Sequence, residues 1–188
     1  MLLLSNKFKI KLIILMMKKI LSIIIIAMLS IQLQAQSINQ HIIDPDLDKE
    51  ILMGEINEEG LSDPIFVEDW QDRYDVYLPD RVVARKLKKI FKKNKDISIK
   101  VFMASWCGDS KQHLPDFVKL VHQTKLRDVR YYALNRQKEM DDLDFINLYS
   151  FNIERVPTFI VYKGGQEIGR IVETPQVSLE KDLLDICQ

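Results

Sequence analysis

The chain has 188 residues with 27 basic and 27 acidic side chains, so its formal net charge is zero. Residues 1–35 hold five lysines and no acid, which leaves 22 basic against 27 acidic residues in the rest and argues against nucleic acid as the main partner. Two cysteines are too few for a disulfide framework, and none of the three histidines pairs with a cysteine at metal-ligand spacing. We therefore expect neither a metal site nor a cofactor.

Residues 1–35 have the form of a signal peptide. Lys18 and Lys19 give a basic start, the apolar run 20–29 follows, and Ala35 supplies a small residue at a cleavage point. The apolar run is shorter than the roughly 20 residues needed to span a bilayer, and an uncleaved N-terminal anchor is the alternative. The sequence thus predicts a periplasmic or secreted protein that meets a membrane only through this segment.

Residues 36–80 are interpreted as an N-terminal helical extension that packs on the main domain. Asp44-Pro45 is a helix-start or turn signal, and Leu47, Ile51 and Leu52 are spaced as on a short amphipathic helix. Three aromatic residues, Trp70, Tyr74 and Tyr77, line one side of a predicted helical turn. We expect them to dock the extension rather than to bind a ligand.

Residues 81–188 alternate between helical and strand patterns. The predicted elements are a basic helix at 81–94, a strand at 97–103, a helix at 111–122, a strand at 129–135, a helix at 141–150, strands at 158–162 and 167–172, and a helix capped by Ser178. The basic side of the first helix is typical of a solvated surface, although it could also steer an acidic partner. This order predicts an α/β domain in which parallel strands come first and an antiparallel hairpin last.

Cys107 lies where the strand 97–103 passes into the following helix. A thiol at a helix N-terminus meets unpaired backbone N–H groups and the positive end of the helix dipole, which favour the nucleophilic thiolate. The alternative is a cysteine packed as a small apolar residue in the core. Trp106, Gly108 and Asp109 are unusual neighbours for a core cysteine, so the reactive interpretation is preferred.

Four segments together resemble the thioredoxin-like family. Trp106-Cys107-Gly108-Asp109-Ser110 is similar to the Trp-Cys-x-x-Cys active site of that family, with serine in place of the second cysteine. Pro115, Val156-Pro157-Thr158 and Lys163-Gly164-Gly165 match its helix proline, its cis-proline segment and its hairpin turn in the same order. The resemblance implies a thioredoxin-like α/β fold with a central mixed sheet of four to five strands flanked by helices. It also implies catalytic roles for Cys107 and Ser110 and substrate-binding roles for Trp106, Gly108, Asp109, Val156, Pro157 and Thr158.

Two departures from the family pattern bear on function. Ser110 cannot resolve a mixed disulfide as the family's second cysteine does, although its hydroxyl can donate a hydrogen bond to the Cys107 thiolate. Val101 stands where the family has a buried aspartate that assists proton transfer in the resolving step. Cys187 lies in the last helix, which the family's fold places away from the active-site edge, so we do not expect it to replace the missing cysteine.

Two functions remain open from the sequence. The first is a monothiol thiol–disulfide exchange enzyme that acts on protein or small-molecule disulfides and depends on an external thiol. The second is a binding module that keeps the fold, holds extended peptides or redox partners, and has lost turnover. Cys107 would be the nucleophile in the first and at most a trap in the second.

Overall fold

The computed structural model describes residues 11, 13–22, 38–66, 68, 70–138, 140 and 149–188. The chain divides into two compact units, residues 1–37 and residues 38–188. In the first unit residues 13–22 are helical, with exposed apolar side chains such as Leu15 and Met17. No helix in the described part of the chain is both long and apolar enough to cross a membrane. The predicted cleavage point at Ala35 lies outside the described residues.

The second unit contains six strands and five α-helices among its described residues. They are β1 (Gln40–Asp44), β2 (Lys49–Ile56), α1 (Glu58–Leu61), α2 (Trp70–Val76), α3 (Arg81–Lys93), β3 (Ile97–Met103), α4 (Gly108–Thr124), β4 (Val129–Ala133), β5 (Thr158–Lys163), β6 (Gln166–Val172) and α5 (Leu179–Cys187). A short 3-10 helix spans Tyr149–Phe151. The rest of the helix predicted at 141–150 lies outside the described residues.

The strands form one mixed sheet in the order β1-β2-β4-β3-β5-β6. β3 and β4 are parallel, whereas β3 with β5 and β5 with β6 are antiparallel. This confirms the thioredoxin-like α/β architecture, with parallel strands first and the hairpin last. The predicted count of four to five strands is wrong, because residues 40–56 add two strands at one edge by pairing β2 with β4.

The helix predicted around Leu47, Ile51 and Leu52 is also wrong, since these residues lie in the β1–β2 hairpin. The turn is closed by a hydrogen bond from Asp48 N to Asp44 O (2.9 Å), and Asp48 adopts a left-handed φ of 48°. Ile51 and Leu52 are buried in β2. Pairing with a neighbouring strand supplies the backbone partners that a short isolated helix would have lacked.

Counted over the described residues, the two faces of the sheet carry buried clusters of different size. Side chains alternate along a strand, so Ile99, Val101 and Met103 of β3 point to one face and Phe102 to the other. Helices α3, α4 and α5 bury their apolar sides on the first face, in what we call the helix-side core. Trp70, Tyr74 and Tyr77 pack against this core, which is the docking role predicted for them.

The second face carries a smaller cluster, which we call the site-side cluster. Its buried members are Phe102, Ala104, Leu134, Met140, Val156 and Ile160. Trp106 and Cys107 are partly buried against it. The sheet therefore separates the main stabilising core from the surface where the predicted site lies.

Candidate active site

The end of β3 and the start of α4 position the sulfur of Cys107. Cys107 is the N-cap residue of α4, with extended backbone angles (φ −92°, ψ 125°) and no side-chain capping bond. Its N–H donates to Ala104 O (3.1 Å), and its carbonyl accepts from Lys111 N (3.1 Å) as the helix begins. The half-exposed thiol thus lies beside the unpaired amides of the first helical turn, where an anion is stabilised.

The segment before β5 contacts the same sulfur. The Cys107 thiol donates to Val156 O across 3.2 Å, and the Val156–Pro157 peptide bond is cis. Val156 and Pro157 are both buried. Pro157 O accepts from Glu173 N (2.7 Å), and Thr158 Oγ1 donates to Arg155 O (2.6 Å). These hydrogen bonds hold the segment in place.

Ser110 has a structural partner rather than the cysteine. Its side chain is 0% exposed, and its hydroxyl oxygen accepts from Ala104 N (3.2 Å). The hydrogen bond expected from Ser110 to Cys107 is not among those that the described residues form. Ser110 therefore braces the end of β3 directly beneath the site, where a buried amide without an acceptor would be costly.

Gly108 and Asp109 lie in the first turn of α4. Gly108 is exposed, and a Cβ added to it would meet no atom within 4 Å, so the space around this residue is open. Asp109 is partly buried at the helix start, where a carboxylate is favoured by the helix dipole. Both residues are near the thiol because they directly follow Cys107 in the chain.

Trp106 is held by a segment that the sequence did not single out. Its indole Nε1 donates to Leu134 O (3.0 Å), just after β4 ends. The guanidinium carbon of Arg136 lies 4.8 Å from the centre of the Trp106 ring. The sequence did contain one signal for this contact. Parallel strands β3 and β4 end at the same edge of the sheet, so the residues that follow β4 lie near the residues that follow β3.

A second serine ties this edge to the extension. Ser105 is buried, and its hydroxyl oxygen accepts from Leu52 N of β2 (3.0 Å). Asp44, at the end of β1, accepts from Arg136 N (2.9 Å). Residues 38–56 therefore help to shape the site, a contribution that no motif in the sequence indicated.

The two cysteines are free and lie on opposite faces of the sheet. Cys187 is buried in the helix-side core, and burial raises the pKa of its thiol to about 11. Cys107 belongs to the site-side cluster. Cys187 is thus not placed to resolve a disulfide on Cys107.

Comparison with known proteins identifies the family of this chain. A family model described as thioredoxin matches residues 67–182, more than half of the chain. The chain belongs to the thioredoxin family. The matched range includes Trp106, Cys107, Ser110 and Pro157.

Individual thioredoxins match shorter stretches. A thioredoxin-like protein of Acanthamoeba polyphaga mimivirus is 31% identical over 96 residues, which are 50% of this chain and 66% of the viral protein. Thioredoxin H2-1 of Oryza sativa is 33% identical over 82 residues, 44% of this chain and 54% of the rice protein. The chain therefore spans less than two thirds of the length of either relative.

Mitochondrial thioredoxin-3 of Saccharomyces cerevisiae is 29% identical over 101 residues, which are 54% of this chain and 73% of the yeast protein. The solved structure of the oxidised form of that thioredoxin matches 54% of this chain and 88% of its own, with 29% identity and a TM-score of 0.36. Membership of the family supports a thiol–disulfide redox function in general terms.

Proposed function

We propose that the chain is a thiol–disulfide exchange enzyme with Cys107 as its single nucleophile. The observation that carries the proposal is the position of this half-exposed thiol at the N-terminus of α4, with Sγ 3.2 Å from Val156 O. The attacking species in such an exchange is the thiolate. Family membership supports the same chemistry.

The exchange proceeds in two balanced steps. The Cys107 thiolate attacks one sulfur of a substrate disulfide, so one S–S bond breaks, a mixed disulfide forms, and the other substrate sulfur leaves as a thiolate. The second thiol of the substrate, or an external thiol, then attacks the mixed disulfide and releases Cys107. Isomerisation consumes no reductant overall, whereas removal of a small-thiol adduct oxidises the external thiol.

The Val156 carbonyl changes partner during this cycle. While Cys107 is a thiol, its S–H donates to Val156 O. Once the proton has left, that oxygen is available to a backbone N–H of an extended substrate, as in strand addition. In this proposal Trp106 and the Val156–Pro157 segment bind the substrate chain beside the sulfur.

The second candidate function is a binding module without turnover. The buried Ser110 favours it, because the position of the family's second cysteine holds a hydroxyl that supports Ala104 N. In that case extended peptides or redox partners would occupy the same groove, and Cys107 would at most trap a thiol.

Refolding of a scrambled disulfide-containing protein in a glutathione buffer separates the two candidates. We expect wild type and Cys187→Ala to accelerate the recovery of native substrate equally, and Cys107→Ala to show no acceleration. A wild type no faster than Cys107→Ala would eliminate the exchange enzyme and leave the binding module. Circular dichroism of each variant checks that the fold is intact.

We also propose that residues 1–35 direct export to the periplasm or the exterior, with an uncleaved membrane anchor as the alternative. The support is the basic start, the apolar run and Ala35. Mass spectrometry of the protein from an exporting bacterium tests this, because cleavage after Ala35 would leave Gln36 as the first residue. An intact N-terminus in the soluble cytoplasmic fraction would contradict export.

A further inference from the structure

Three hydrogen bonds fix the segment 134–136 beside the thiol. Leu134 N donates to Met103 O (2.9 Å), and Leu134 O accepts from the Trp106 indole (3.0 Å). Arg136 N donates to Asp44 Oδ2 (2.9 Å). The backbone that carries the Arg136 side chain is thus held at both ends, once by the site and once by the β1–β2 hairpin.

Asp44 is built to hold this position as a buried anion. The residue is 0% exposed, and its other oxygen accepts from Asp46 N (2.9 Å) and Leu47 N (3.1 Å). Burial raises the pKa of the Asp44 carboxyl, but the backbone amides of Arg136, Asp46 and Leu47, together with the charge of the Arg136 side chain, outweigh it and hold the pKa below its usual value. A hairpin outside the range matched by the family model therefore orders the rim of the site.

The Arg136 guanidinium lies over the Trp106 ring at 4.8 Å, and the residue is exposed. Stacking on an aromatic face stabilises a guanidinium and leaves the N–H groups at its edge directed outward. Those donors match the two oxygens of a carboxylate. Trp106 immediately precedes Cys107, so the cation lies over the side chain next to the candidate nucleophile in the chain.

We infer that Arg136 is a specificity-determining residue that selects peptide disulfides in which an acidic residue flanks the attacked cysteine. The inference rests on the exchange function proposed above. Arg136 exchanges neither protons nor electrons; it pairs with the substrate carboxylate while the Cys107 thiolate attacks the adjacent disulfide. Beyond residues 1–35 the chain has more acidic than basic residues, so its net charge does not itself attract an acidic peptide.

Three disulfide peptides that differ only in the residue before the attacked cysteine, Glu, Gln or Lys, test the inference. We expect wild type to prefer Glu over Gln by about threefold in kcat/KM, and Gln over Lys by a similar factor, as for a solvent-exposed ion pair. Arg136→Gln should bring the three rates together, and Arg136→Glu should reverse their order. High salt should reduce the wild-type preference, because an exposed pair is screened.

Arg127→Gln is the matched control. It removes one exposed arginine from the loop before β4, at the opposite end of the strand from Arg136, and should leave the Glu-to-Gln preference unchanged. Asp44→Asn tests the positioning role: it should reduce the preference when Arg136 is present and have no effect on it in the Arg136→Gln background. If Asp44→Asn does not fold, the two Arg136 variants still decide the matter.

The possible failures can be told apart. If wild type turns over none of the peptides faster than Cys107→Ala, both the exchange function and the inference are overturned. If wild type turns over all three at equal rates, or if Arg136→Gln keeps the preference for Glu, the inference alone falls.

Discussion

The two cysteines of this chain have the same side chain and opposite environments. Cys107 is at the N-terminus of α4 on the smaller, site-side cluster and is half-exposed. Cys187 is the last residue of α5 and is 8% exposed in the helix-side core. Cys107 lies at the positive end of a helix with access to solvent, whereas burial raises the pKa of the Cys187 thiol.

The contrast between the cysteines reflects a difference between the two faces of the sheet. Helices α3, α4 and α5 pack on one face of the sheet and contribute half of the buried residues of the helix-side core. On the other face Trp106 and Cys107 are only partly buried against the site-side cluster, and the Cys107 sulfur lies 3.2 Å from Val156 O. Sheet alternation makes this possible, because neighbouring residues of β3 serve different faces.

Alkylation rates should give the largest difference between the two cysteines. With iodoacetamide at mildly alkaline pH, we expect Cys107 to be modified at least about 100-fold faster than Cys187, because a shift of the Cys187 pKa from 9.0 to about 11 alone makes its thiolate about 100-fold scarcer. Mass spectrometry of the labelled peptides measures both rates. In guanidinium chloride, where burial is lost, the two rates should converge; fast labelling of Cys187 in the native protein would contradict the contrast.

The sequence predicted the site more completely than its surroundings. Cys107, Val156 and Pro157 could be brought together because the strand–helix junction and the proline segment are local patterns with family precedent. The strand Ile97–Met103 was predicted at its observed bounds, since apolar and β-branched residues dominate it. Each of these segments is a local pattern, and the family resemblance supplied the expectation that Cys107 and Val156 meet across 49 positions of the chain.

The missed features are contacts for which the family pattern offered no precedent. The β1–β2 hairpin resembled a helix start at Asp44-Pro45, and its pairing with β4 is settled only in the folded sheet. The stacking of Arg136 on Trp106 links residues 30 positions apart and depends on the buried Asp44. Ser110 was assigned to the thiol by analogy, but the end of β3 needed an acceptor for Ala104 N.

A smaller effect, on the pH dependence of stability, is expected from the middle of α4 rather than from its N-terminus, where Cys107 lies. Asp116 is partly buried on that helix, and burial raises the pKa of its carboxyl to about 6. Arg73 and Lys119 face it and lower the pKa, whereas Glu180 raises it. Tyr77 also lies near Asp116. Its hydroxyl donates a hydrogen bond to Glu180 (2.8 Å).

Asp116→Asn should therefore stabilise the protein in a pH-dependent way. The folded-state pKa lies above the unfolded value of 3.8, so the folded protein binds more protons between about pH 4 and 6, and the wild-type free energy of unfolding falls as pH rises through that window. The variant has no carboxyl to ionise, so its free energy of unfolding should not fall in this window. Above pH 6 it should exceed that of wild type by about 1 kcal/mol, after allowance for solvent screening of a half-exposed group. Denaturant unfolding at a series of pH values measures the gain, which should vanish near pH 4. The rate of Cys107 alkylation should stay the same in the variant, since Asp116 serves the helix-side packing; a changed rate would mean that the two ends of α4 are coupled.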